Sequence, residues 1–213
     1  MKGARKIKAS SKLSIRGKHN STKMYQMIPW ESTLERDFIK LLDFDPTVVS
    51  FKFQPEQINF IYKGKQRKYY PDFLVERNDF EKYIYEVKAF EKIEEDINKL
   101  KFQVGIKFCS ERNMKYVVVT EKDIRKGFLI ENLDVLSEVR QESTSSTVMS
   151  EVIRIMEALG GKAKIATLKE KIKPISDGEA ENNIYYLIYT HQLSMDLISI
   201  PINDESIVER MSN

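Results

Sequence analysis

The 213-residue chain has one cysteine, Cys109, and two histidines, His19 and His191. A lone thiol forms no internal disulfide, and so few soft ligands exclude a cysteine-rich zinc site and most histidine-based nuclease chemistries. Any metal is therefore expected on oxygen ligands. Long apolar runs are also lacking, and the basic start has no apolar segment of the signal-peptide kind. The expected location is the cytoplasm, with no membrane partner. Acid is missing from one stretch as well: residues 1–24 hold Lys2, Arg5, Lys6, Lys8, Lys12, Arg16, Lys18 and Lys23 and no Asp or Glu. This segment carries +8 in a chain whose total is +3, so the remainder is net negative. Its Ser, Gly and Asn content is too polar to fold alone, which predicts a flexible basic arm that binds a DNA backbone. A merely solubilising tail is the plain alternative.

What is present is ordinary for a soluble protein, at 41% hydrophobic and 31% charged residues. The informative stretch is Tyr69–Phe90, Y-Y-P-D-F-L-V-E-R-N-D-F-E-K-Y-I-Y-E-V-K-A-F. It predicts two short strands around a polar turn at Arg77–Asp79, with Asp72 opening the first and Glu86 and Lys88 ending the second. Side chains two apart share a strand face, so Glu86 and Lys88 point together, and an antiparallel return brings Asp72 beside them. Two carboxylates and an ammonium are costly to hold together unless a divalent cation bridges the acids and the lysine meets an anion. A metal-dependent phosphodiester-cleaving site has this composition. The plain reading is an exposed strand of alternating charge, and only the flanking apolar strands and helices favour the site over it.

Upstream, Ser32 and Glu35 form an S-x-x-E capping box before an apolar face of Leu34, Phe38, Leu41 and Leu42, with Asp43–Pro46 ending the helix. Glu35 thus has two competing roles, since a carboxylate committed to a cap is less free to bind metal. Alternation predicts strands over Val48–Phe53, Gln57–Tyr62 and Arg67–Tyr70, with Lys63-Gly64-Lys65 as a hairpin turn. A helix is expected over Glu91–Arg112 and a buried strand over Tyr116–Thr120. Gln54 and Gln57 could touch DNA, but half-buried glutamines more often satisfy local backbone, and neither is assigned to the catalytic set.

The pairing of Pro71-Asp72 with Glu86-Val87-Lys88 resembles the PD-(D/E)xK nuclease superfamily. The wider set of Glu31–Pro46, Phe53–Pro55, Tyr70–Val75, Tyr85–Lys88 and Val117–Ile124 is similar to TnsA, the endonuclease subunit of heteromeric cut-and-paste transposases. That resemblance implies an α+β, restriction-endonuclease-like core with a mostly helical winged-helix domain at the C-terminus. It implies a catalytic set of Glu35, Asp72, Glu86 and Lys88. Asp72, Glu86 and the Val87 carbonyl would hold Mg²⁺ (with Mn²⁺ as substitute), Glu35 would assist a second ion or its water shell, and Lys88 would orient or activate water. Where some family members carry Gln at the first triplet position, this chain has Glu86. The implied partners are DNA at the transposon ends, a partner transposase subunit and an ATPase regulator.

The expected organisation is a basic arm over 1–24, a nuclease domain over 25–137, a polar linker over 138–147 and a winged-helix domain over 148–213. The last comprises helices at Val148–Leu159, Ile165–Ile172 and Glu179–Gln192, then apolar strand-like segments at Leu197–Ile202 and Ile207–Val208. From Pro174 to Glu209 there is no Lys or Arg, and Tyr185, Tyr186, Ile188 and Tyr189 exceed one core-facing stripe. This domain is accordingly expected to dock on protein rather than DNA. Two rivals stay open: another nuclease of the same superfamily (restriction, repair or phage), and a non-catalytic DNA-binding adaptor.

Overall fold

Strands form where the sequence alternates, because one face of each can be buried while the other stays polar. The computed structural model describes residues 15–139 and 143–211. The chain divides into two units, 1–125 and 126–213.

In the first unit, β1 (Gly17–Ser21) and β2 (Gln26–Trp30) make an antiparallel hairpin. This stretch overlaps the arm expected over 1–24, so residues 17–24 belong to folded structure. The cause is local. Ser21 Oγ donates to Asp43 Oδ1 at 2.5 Å, His19 Nε2 lies 2.8 Å from Asp43 Oδ2, and Gly17 lies so close under the Trp30 indole that a Cβ would meet it at 2.4 Å. Helix α1 (Thr33–Phe44) follows, capped by Ser32, whose side chain accepts the Glu35 N–H as the capping box predicts.

Strands β3 (Val48–Phe53), β4 (Ile58–Tyr62), β5 (Lys65–Tyr69), β6 (Phe73–Arg77) and β7 (Lys82–Val87) come next, then helix α2 (Asp96–Ser110), strand β8 (Lys115–Val119) and the short helix α3 (Glu121–Ile124). The central sheet has the order β3-β6-β7-β8. Its first three strands are antiparallel, while β8 runs parallel to β7, a pairing that needs the crossover α2 supplies. Helix α1 covers one face, where Phe38 packs 5.5 Å from Phe73 and 5.1 Å from Tyr85. Tyr116 is in register with Ile84, on the opposite face, and there it meets Gly105 of α2. Strands β4 and β5 do not join this sheet; they form a separate two-stranded ribbon. The helix expected over Glu91–Arg112 is shorter. A single 3₁₀ turn at Phe90–Lys92 precedes α2, and the buried Asn98 amide donates to the Lys92 carbonyl, holding the chain out of a continuous helix.

The second unit opens with α4 (Leu129–Glu138) and continues with α5 (Ser146–Ala158), β9 (Lys162–Lys164), α6 (Ile165–Lys171), α7 (Asp177–Tyr189), β10 (Leu193–Met195) and β11 (Ile207–Arg210). The strands form an antiparallel sheet in the order β10-β11-β9. The division at Arg125/Lys126 falls ahead of the boundary expected at 137, because α4 buries Leu133 and Leu136. Of the expected linker, residues 140–142 lie outside those described. Leu197–Ile202 is not a strand. Pro201 has no N–H for a ladder, and the segment is held as a loop by Asn132, whose Nδ2 donates to the Leu197 and Ile200 carbonyls and whose Oδ1 accepts the Ile202 N–H, each at 2.9 Å. Helix α7 also corrects an expectation: Tyr185 and Ile188 are buried and Tyr186 and Tyr189 half-buried, so most of its apolar excess is used inside the unit. Among the described residues, no helix is long and apolar enough to cross a membrane.

Candidate active site

The ladder between β6 and β7 pairs Phe73 with Tyr85, and its register continued would set Asp72 opposite Glu86 and residue 71 opposite Val87. Residue 71 is proline, and the pairing stops there. Asp72 takes over: its Oδ2 accepts the Val87 N–H at 2.8 Å, and its backbone carbonyl accepts the Gln54 N–H at 2.7 Å. The N–H and C=O of a strand residue face the same side, so the Val87 carbonyl lies on the edge where Asp72 sits. Glu86, 2% exposed, is held at both oxygens: Tyr69 Oη donates to Oε2 at 2.7 Å, and Lys88 Nζ is 3.1 Å from Oε1. Tyr116 Oη in turn lies 2.6 Å from Tyr69 Oη.

The charges within this cluster feel one another. Burial, then the neighbouring charges of Glu86 and Glu35, push the Asp72 carboxyl well above the usual carboxylate range, against Lys88 and the Val87 N–H. Burial alone would lower the Lys88 ammonium, but Glu86 and Asp72 more than offset it, so the group is raised and stays cationic. Burial also drives both tyrosines upward, reinforced by the Glu86 charge, and each remains a neutral hydrogen-bonding group.

Three of the four predicted catalytic side chains, Asp72, Glu86 and Lys88, thus share one strand end. The charge of Glu35 acts on Asp72 and that of Lys88 acts on Glu35, but the Glu35 carboxylate faces the helix terminus. Its Oε2 accepts the Glu31 N–H at 2.8 Å and its Oε1 the Ser32 hydroxyl at 2.9 Å, so of its two competing roles the cap is the one it adopts here. Of the residues assigned to DNA, Lys2, Arg5, Lys6, Lys8 and Lys12 lie outside those described. Arg16 lies 3.9 Å from Glu31, and Lys18 is exposed on β1. Lys23 does not reach outward. Its Nζ donates to the carbonyls of Leu42 and Asp45 at 2.8 and 2.5 Å, and burial lowers its pKa.

Among the described residues, no group of three or more His, Cys, Asp or Glu could hold a metal ion. The oxygens at hand are the carboxylates of Asp72 and Glu86, the Val87 carbonyl, and one further acceptor that sequence reasoning left aside. Gln54 is 3% exposed with φ at +42°, a strained conformation for a side-chain-bearing residue, and its Oε1 is buried without a hydrogen-bond partner among the described residues. The same side chain's Nε2 donates to Glu31 Oε2 at 3.3 Å, and its backbone N–H is the one that reaches Asp72. An orphaned acceptor in this acidic neighbourhood fits a hydrated cation, which Mg²⁺, content with one or two carboxylates and several waters, would be.

Tyr69 and Tyr116 were also missed. The only sequence signal was that a buried tyrosine needs a partner for its hydroxyl. Their placement yields an expected result. A Cβ on Gly105 would come 2.2 Å from Tyr116 Cε2, so Gly105→Ala displaces the ring. Helix propensity alone favours Ala by about 1 kcal/mol, but overpacking costs about 1–3 kcal/mol. The variant is expected to melt at or below the wild-type temperature and to lose the Tyr116 support of Tyr69; a melting rise of several degrees would show that the ring has room.

Residues 45–121 match the family model described as TnsA-like endonuclease N terminal. The matched segment runs from just after α1 to the start of α3 and includes Asp72, Glu86, Val87 and Lys88, but not Glu35. No curated protein matches the chain. The matched domain and the mixed α/β sheet together support a DNA nuclease of the TnsA-like kind.

Proposed function

We propose that the chain is the metal-dependent DNA endonuclease subunit of a transposase, hydrolysing one phosphodiester at each transposon end. The observation that carries this reading is the convergence of Asp72, Glu86 and Lys88 at one strand end within the TnsA-like segment. Asp72, Glu86 and the Val87 carbonyl would hold Mg²⁺, with Gln54 Oε1 or Glu35 meeting its water shell. The ion would supply Lewis-acid charge at the scissile phosphate and lower the pKa of water. Lys88, raised and cationic, has no free lone pair with which to accept a proton from water. Its role is to place the attacked phosphate and offset the negative charge that grows in the transition state. Tyr69 fixes the Glu86 carboxylate from the opposite side.

The second unit, in which α5, β9, α6, α7, β10 and β11 follow α4, is read as a winged helix. Its acidic α7 terminus (Asp177, Glu179) and the absence of Lys or Arg from Pro174 to Glu209 disfavour DNA as its ligand. It would dock on the partner transposase or the ATPase regulator, and the basic residues at the N-terminus would hold transposon-end DNA.

The test is nicking of duplex DNA by the full chain with Mg²⁺ or Mn²⁺, alone and with the proteins encoded beside it. Cleavage should vanish in EDTA. Lys88→Ala is expected to keep DNA affinity within about threefold while turnover falls by about 10²–10³, the scale of losing one preorganised charge. Full cleavage in EDTA, or an active Lys88→Ala, would sink the reading.

A further inference from the structure

Like residues 1–24, the β4–β5 ribbon is basic and free of acid. From Gln57 to Pro71 there is no acid, and Lys63, Lys65, Arg67 and Lys68 fall within six residues. The register explains how so much charge is presented. Ile58 faces Tyr69 and Phe60 faces Arg67, and the root of this face, Ile58, Phe60 and Tyr69, packs on Ile97, Leu100, Val104 and Phe108 of α2. Beyond the root both faces of β5 are open, and every residue from Lys63 to Lys68 is exposed. Some exposed cations elsewhere in the unit have acidic partners: Lys115 with Glu81, Lys99 with Glu94, Arg125 with Asp37. Lys65, Arg67 and Lys68 have no acidic partner among the described residues.

The ribbon is also tied to the catalytic centre. Tyr69, its last residue, donates to Glu86, and Asp72 follows three positions on. Four residues of strand span about 13 Å from Tyr69 to Lys65, the axial length of about four nucleotides of one DNA strand.

We propose that the β4–β5 ribbon is the element that grips the substrate duplex beside the cut, with Lys65, Arg67 and Lys68 on phosphates within about four nucleotides of the scissile bond and Lys63, at the turn, on the phosphates just beyond. The assignment rests on the nuclease reading and specifies which residues hold its substrate. Two-sided exposure suits a ribbon laid in a groove, where each face meets one phosphate wall. The contacts are to backbone, so they hold and register the DNA without selecting sequence.

The experiment measures duplex-DNA affinity of the full chain against salt, in Ca²⁺ to hold off cleavage, for the wild type and two fourfold variants. One neutralises the ribbon (Lys63→Gln, Lys65→Gln, Arg67→Gln, Lys68→Gln). The other removes equal charge from the second unit (Lys162→Gln, Lys164→Gln, Lys169→Gln, Lys171→Gln). Each phosphate contact contributes about 0.9 to the slope of log affinity against log salt, so the ribbon variant should lose up to about 3.6 and the control little. The single variant Arg67→Gln, expected to lose about one unit, covers the case of a fourfold variant that misfolds. An unchanged ribbon slope, equal losses in both variants, or no DNA binding by the wild type overturns the assignment. Asp72→Asn, assayed in parallel for cleavage, judges the nuclease reading separately, since it should bind DNA and fail to cut.

Discussion

Asp72→Asn is expected to reduce DNA cleavage by at least about a thousandfold, the factor that corresponds to losing about 4 kcal/mol of transition-state stabilisation. Asparagine retains an oxygen to accept the Val87 N–H, so the strand end should keep its geometry. The same substitution should raise the stability of the metal-free protein at neutral pH. Burial and the charges of Glu86 and Glu35 raise the Asp72 carboxyl in the folded state, so the folded form prefers it protonated. That preference stabilises the fold fully below the unfolded value, about 3.9, and is lost as pH rises through the folded one. Above that window the ionised wild type carries the repulsion and the asparagine variant does not. The expected pattern is a variant melting a few degrees higher at neutral pH in EDTA, with the gap closing in acid. Mg²⁺ should then reverse the order, raising the melting temperature of the wild type and leaving the variant where it was. A wild type indifferent to Mg²⁺, or a variant that cleaves at wild-type rate, would remove Asp72 from the metal site.

The parts of this site that were legible in the sequence are those set by local rules. Strand alternation put Glu86 and Lys88 on one face, an antiparallel return brought Asp72 beside them, and the S-x-x-E spacing announced the cap on α1. What escaped was set by contacts distant in sequence. Tyr69 meets Glu86 across two separate sheets, and it meets Tyr116 because β8 joins β7 in parallel across α2; no local pattern encodes either contact. Gln54 is likewise placed by partners far along the chain, its backbone N–H on the Asp72 carbonyl eighteen residues away and its side-chain Nε2 on Glu31. The basic ribbon was visible as composition but was overshadowed by the larger charge excess at the N-terminus. Part of that excess, Lys23, turns inward onto the end of α1. In the second unit, helix periodicity located α5, α6 and α7. It did not show that α4 belongs with them, a placement held by its buried Leu133 and Leu136 together with one polar residue on that helix.

That residue, Asn132, gives the largest stability effect expected in the second unit. It is 1% exposed and satisfies three backbone groups of the loop between β10 and β11, at Leu197, Ile200 and Ile202. Asn132→Ala leaves these groups without their partner in a buried position, and at about 1 kcal/mol net per hydrogen bond the loss is about 3 kcal/mol. For a unit of this size that lowers the melting temperature by about 10 °C or more. Asn132→Asp separates hydrogen bonding from shape. The aspartate is nearly isosteric and keeps an acceptor for Ile202, but an ionised carboxylate offers no donor and faces the carbonyl oxygens of Leu197 and Ile200 while buried. It should therefore be worse than alanine at neutral pH. Burial beside carbonyls raises a carboxyl's pKa, and once protonated it can donate one bond, so the aspartate variant should regain stability on acidification relative to alanine. Thermal melts of the full chain for both variants across pH 4–8, followed by side-chain NMR signals of the second unit, read the two effects together. An aspartate variant as stable as wild type at neutral pH would mean that the loop is held by something other than these three bonds.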